Sequence, residues 1–159
     1  MISTPPSVSA AKITRFVLLN QKLERTSATM ADLVSQSEIL TEANITQLFQ
    51  ATANVMTPFD INANGRLILS SVSATGSNPA RVNWQRVYGG PGSASHIGSA
   101  GATALLPQGF QVRDGESVIV AEVFFGYAPL FTTDLIDPVE LYNLAVYRPR
   151  FASLTTILP

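Results

Sequence analysis

An α+β fold is predicted by three observations. Residues 10–38 hold neither Gly nor Pro and carry apolar residues near helical spacing, the segments after Gly65 alternate with a period of two, and turn chemistry divides those segments. The expected architecture is a long N-terminal amphipathic helix and a second, shorter helix packed on a mainly antiparallel sheet of about four strands, all in one domain.

The first helix is placed at residues 10–38 by Ile13, Phe16, Val17, Leu19, Leu23, Met30, Leu33 and Val34, with Lys12, Arg15, Lys22, Glu24, Arg25 and Asp32 on its polar side. Residues 1–9 are expected to be a disordered lead-in. A helix of about 25 residues is about 38 Å long, more than a domain of this size requires. Its stripe is therefore expected to serve the chain's own core around Leu33 and Val34, and a neighbouring subunit around Phe16 and Leu19. Thr41 and Glu42 form a cap and first turn for a second helix over 41–57, with Ile45, Leu48, Phe49 and Met56 on one face until Pro58 stops it.

Sheet residues are expected across 66–151. Leu67 and Leu69 alternate with Ile68 and Ser70, and the turn at 76–79 leads into Arg81 to Tyr88, which completes a hairpin. Residues 116–127 are apolar on both faces, the pattern of a central strand covered on both sides, and Leu141 to Tyr147 supply the last strand. Between them, residues 89–108 turn to Gly, Ser, Ala and Pro with no period, which predicts a functional or mobile loop.

Composition removes several function classes. The chain has 159 residues, 46% hydrophobic and 13% charged, and its ten basic and eleven acidic residues leave a formal charge of −1 with no block of like charge. Nothing there offers an electrostatic footprint for nucleic acid. There is no cysteine, so disulfides, thiolate nucleophiles and cysteine metal sites are absent together. No apolar run approaches the roughly 20 residues that cross a bilayer.

Four motifs bear on chemistry. Asp60-x-Asn62-x-Asn64-Gly65 copies the first half of an EF-hand loop, but position seven is Arg66 and position twelve is Ser71, so a plain helix-to-strand turn is preferred to a calcium site. His96 is the only histidine. It follows Ser95 without a nucleophile elbow, and is expected on a surface loop. Glu122 interrupts the most apolar strand, and a cross-strand arginine from Arg81, Arg86, Arg148 or Arg150 is expected to pair with it. Asn44-Ile45-Thr46 matches a glycosylation acceptor but falls inside a predicted helix, and it is discounted. No catalytic residue or cofactor site is assigned.

Two stretches carry a family resemblance. The C-terminal third, from Leu106-Pro107-Gln108-Gly109 through Ala121-Glu122-Val123-Phe124-Phe125-Gly126-Tyr127-Ala128-Pro129-Leu130 to Tyr147-Arg148-Pro149-Arg150, resembles TadE-like minor pilins of bacterial tight-adherence (Flp-type) pili. The segment from Leu19-Asn20-Gln21-Lys22-Leu23 to Ala31-Asp32-Leu33 looks like the part of those proteins that follows their membrane anchor.

The resemblance implies a non-catalytic structural subunit at the periplasmic face of the inner membrane, with other pilus subunits and the assembly machinery as partners. It also implies an N-terminal transmembrane helix with a processing site, expected upstream of Ile2 and missing from this chain. Phe16, Leu19, Leu23, Tyr127, Pro129, Arg148 and Arg150 are the candidate subunit contacts. Within that set, packing is preferred for Tyr127 and Pro129, and ion pairing for the two arginines. A periplasmic or secreted binding module using loop 89–108 is the alternative, and an enzyme built on His96 or Glu122 comes third.

Overall fold

The computed structural model describes residues 6–127 and 139–159, with side chains described from Ala10 onward. Helix α1 spans Pro6–Ser35, α2 Glu42–Met56 and the one-turn α3 Ile61–Asn64; strands β1 Gly65–Ser73, β2 Arg81–Gly89, β3 Ser117–Tyr127 and β4 Val139–Tyr147 follow. The α+β class and the four-stranded antiparallel sheet agree with the reading of the sequence. Helix α1 begins four residues before the predicted start and ends three before the predicted end. A proline is accommodated in the first helical turn, where its missing N–H interrupts no intrahelical bond.

Local chemistry explains the helix boundaries. Thr41 and Asn44 form a reciprocal cap at the start of α2: the Asn44 N–H donates to the Thr41 hydroxyl at 3.1 Å, and the Thr41 N–H donates to Asn44 Oδ1 at 3.0 Å. The Asn44 amide is thus used as a capping group. Asp60 does the same for α3, its Oδ1 accepting from the N–H groups of Asn62 at 2.9 Å and Ala63 at 3.2 Å.

The sheet order is β2-β1-β3-β4, every neighbouring pair antiparallel. Along β3 the residues alternate between two covered faces. Ile119, Ala121, Val123 and Phe125 face the helices, where they join Leu67, Leu69, Trp84 and the α1 residues Leu19, Leu23, Met30, Ala31 and Val34 in the main core. Val118 and Val120 face the other way and pack with Val72, Val82 and Ile97 in a second core. The two-sided burial expected of 116–127 is present: Val118 to Phe125 is buried without interruption. Helix α1 also meets the sheet through a polar contact, the Ser27 hydroxyl donating to Asn143 Oδ1 at 2.5 Å. Trp84 ties in the C-terminal tail by donating its indole N–H to the Leu154 carbonyl at 2.9 Å.

Beyond Gly89, which closes β2, the segment 90–108 forms no helix or strand, as expected of a loop. With the residues that follow, it forms an irregular layer over the second face of the sheet: Ile97 is buried there, and Ala104, Leu106, Phe110 and Val112 pack around the same valine cluster. The layer is fastened to the rim of β2, with the Val82 N–H donating to Ala102 O at 3.0 Å, Gly101 N–H to Val82 O at 2.7 Å and Ala104 N–H to Ala80 O at 2.8 Å. Its entry needs glycine. Gly89 has φ +106°, and a β-carbon there would lie 2.7 Å from the Gly65 carbonyl oxygen.

One ion pair braces α2 against the sheet. Arg86 of β2 holds Glu42 in a fork, its Nε within 3.1 Å of both carboxylate oxygens and its Nη2 closing on Oε1. The hydrogen bond from Arg86 holds the Glu42 carboxyl below its ordinary value of 4.5. A carboxylate whose pKa is lowered by folding stabilises the fold above its unfolded value, and that contribution disappears as pH falls through the folded one. Arg86→Gln is therefore expected to lower the urea midpoint at neutral pH, with the gap from the parent protein closing as the pH drops below about 4. A gap independent of pH would show that Arg86 acts through packing alone.

Candidate functional site

Two places in the fold concentrate the residues singled out from the sequence. The first is the N-terminal part of α1. A stripe on one side of this helix is made by Leu19, Leu23, Met30 and Val34, all buried, and Phe16 continues it one turn further out. None of residues 10–18 is buried. Ile13 is 64% exposed, Val17 47% and Phe16 42%, so apolar side chains on adjoining parts of the helix surface meet solvent. The Phe16 ring touches the half-buried Tyr127 edge-on at 5.6 Å between centroids, and the Arg15 guanidinium lies 5.2 Å from the centre of the Phe59 ring. Tyr127 is the last residue of β3. The changeover from covered to uncovered stripe therefore falls where the sheet ends beneath the helix.

That boundary corrects part of the predicted contact set. Leu19 and Leu23 belong to the chain's own core, at 0% and 1% exposure, and are unavailable to a neighbour. Leu33, assigned to the core, is 40% exposed, while Val34 beside it is fully covered. Arg148 and Arg150 stand at the other end of the molecule, beyond the last residue of β4. Arg148 pairs with Glu116 at 3.3 Å and Arg150 with Asp32 of α1 at 3.1 Å, the ion-pairing role expected of them. The structure thus brings Phe16 to Tyr127 but separates both from the two arginines by the length of β4, about 30 Å. Pro129 lies outside the described residues.

The second place is Glu122, which faces the irregular layer and is 0% exposed. No arginine reaches it. Arg86 sits opposite Leu69, which in turn sits opposite Ala121, so it lies on the helix face, the opposite side of the sheet from Glu122. Arg81 donates to the Gly101 carbonyl instead. The Glu122 carboxylate is held by uncharged donors: the Ser95 hydroxyl on Oε1, and on Oε2 the His96 backbone N–H at 2.8 Å and the Tyr142 hydroxyl at 2.8 Å. Burial, followed by the bond to Glu122, pushes the Tyr142 phenol well above its ordinary value. The sequence does not point to Ser95 or Tyr142 as partners of Glu122. Tyr142 sits diagonally across from Glu122, two residues from its partner Leu144, but no single sequence reveals that register.

His96, Ser95 and a carboxylate are therefore neighbours without forming a catalytic relay. The imidazole is on the surface, as expected, and rests on Tyr142 at 4.1 Å and edge-on to Phe124 at 5.2 Å between centroids. The serine hydroxyl donates directly to Glu122, so the imidazole does not stand between serine and acid as general-base catalysis requires. The arrangement works as a clamp: a strand carboxylate gathers two consecutive loop residues and a tyrosine from the next strand. Among the described residues no group of three or more His, Cys, Asp or Glu side chains could hold a metal ion. Asp60, Asn62 and Asn64 form the cap and one turn of α3.

No protein-family model, curated protein or solved structure matches this chain. Among the described residues, no helix is long and apolar enough to cross a membrane.

Proposed function

We propose that this chain is a structural subunit of a bacterial tight-adherence pilus, a TadE-like minor pilin or pseudopilin that acts by packing against other pilus subunits. In this reading it sits at the periplasmic face of the inner membrane. The carrying observation is the division of α1. Its stripe from Leu19 to Val34 is buried against the sheet, whereas Ile13, Phe16 and Val17 are solvent-facing on a helix that continues past the core. Apolar side chains presented on a rigid rod suit helix-to-helix packing between subunits. The main core, with the Ser27 bond to Asn143 and the Arg150 pair with Asp32, then serves to hold that rod in one orientation.

The alternative of a binding module built on loop 89–108 loses support, because the apolar side chains of that layer are engaged in covering the sheet. An enzyme built on His96 or Glu122 loses support from the position of the imidazole outside the hydrogen bonds to the carboxylate. The test is to place charges on the exposed part of the helix and to read folding and pilus assembly separately.

A further inference from the structure

The two edges of the sheet are built differently. Strand β2 has a register shift opposite Ser71 and Val72, an arginine at its start and part of its rim paired with residues 101–104. These are devices that keep an edge from pairing with another chain. Strand β4 has none of them. Its nine residues contain no Pro, Lys or Arg, its register with β3 runs unbroken from Val139 to Tyr147, and among the described residues no backbone group pairs with its outer side. The charges flanking this strand are ordered. Glu140 stands near its beginning and Arg148 directly after its end, and the residues between them are uncharged.

We propose that two copies of this chain join edge to edge through β4, antiparallel about a two-fold axis at Leu144, to form one continuous sheet. In that register Glu140 of each copy faces Arg148 of the other at both ends, Tyr142 faces Val146, and Leu144 faces its own copy. A two-fold contact requires a surface complementary to itself, and an acidic start with a basic end on an antiparallel strand meets that requirement. A parallel pairing would set like charges side by side. Glu140 accepts from the Ser93 N–H at 3.0 Å and from its hydroxyl at 2.5 Å, and Arg148 donates to Glu116, so each charge shares or exchanges an internal partner when the copies meet. The inference does not depend on the pilus reading.

Sedimentation velocity over a concentration series tests it. The chain is expected to dimerise, with Glu140→Arg or Arg148→Glu alone weakening the dimer about tenfold or more, and the double variant, which swaps the charges, returning to within about threefold of the parent. Circular dichroism identifies variants that fail to fold. As an independent reading, the chain has no cysteine, so Leu144→Cys is expected to give a covalent dimer under mild oxidation and Val87→Cys on β2 is not. A chain that stays monomeric throughout, a dimer indifferent to both reversals, or a cross-link forming equally well at Val87 overturns the proposal.

Discussion

Glu122→Ala is expected to destabilise the protein by about 3–4 kcal/mol, because it removes a buried hydrogen-bond acceptor and leaves three donors without their partner. The Ser95 hydroxyl, the His96 N–H and the Tyr142 hydroxyl converge on that one carboxylate. Two of the three come from the irregular layer, which has no ladder of its own. The loss should therefore appear first as reduced amide protection at Ile97 and Leu105, whose Leu105 N–H to Ile97 carbonyl bond of 2.9 Å lies inside that layer. Tyr142→Phe removes one donor and keeps the ring stacked with His96, so its cost is about 1 kcal/mol. Urea denaturation at neutral pH checks both values. If Glu122→Ala cost no more than Tyr142→Phe, the clamp would have no structural role.

The second large effect lies in the helix. Leu23→Ala is expected to cost about 3 kcal/mol, within the range for a leucine removed from a tightly packed core, and to lower Tm by roughly 10 °C. Leu23 is 1% exposed and shares its cluster with residues from α1, α2 and the sheet, so no single neighbour can move to fill the space. Leu19→Ala should behave alike. Ile13→Ala, two turns earlier on the same helix, should change stability by less than about 0.5 kcal/mol, because that side chain is 64% exposed. Thermal and urea melts of the three variants therefore locate the point along α1 where the chain's own core stops.

What the sequence made legible follows from how each part is stabilised. Helix α1 and strand β3 announce themselves because their burial is periodic or continuous: Leu19, Leu23, Met30 and Val34 repeat at helical spacing, and Val118 to Phe125, apolar but for Glu122, is covered on both sides. The layer after β2 does not, since Ile97, Leu106, Phe110 and Val112 are drawn into the second core by tertiary contact at irregular intervals. The partners of Glu122 were out of reach for another reason. A one-residue offset moves a side chain to the other face of a sheet, which is why Arg86 belongs to Glu42 and Tyr142 to Glu122. The stripe on α1 was visible, but where the sheet ends beneath it was not. For this reason the spacing alone assigns Leu19 and Leu23 to the wrong side of that line.

Under the proposed function, packing of the exposed part of α1 against another pilus subunit is required for assembly. Its most direct measurement is pilus assembly in the producing cell with Ile13→Asp and Val17→Asp introduced together, alongside the melting curve of the same variant. The expected result is an unchanged fold and loss of surface pili. Normal pili from a correctly folded double variant would contradict it.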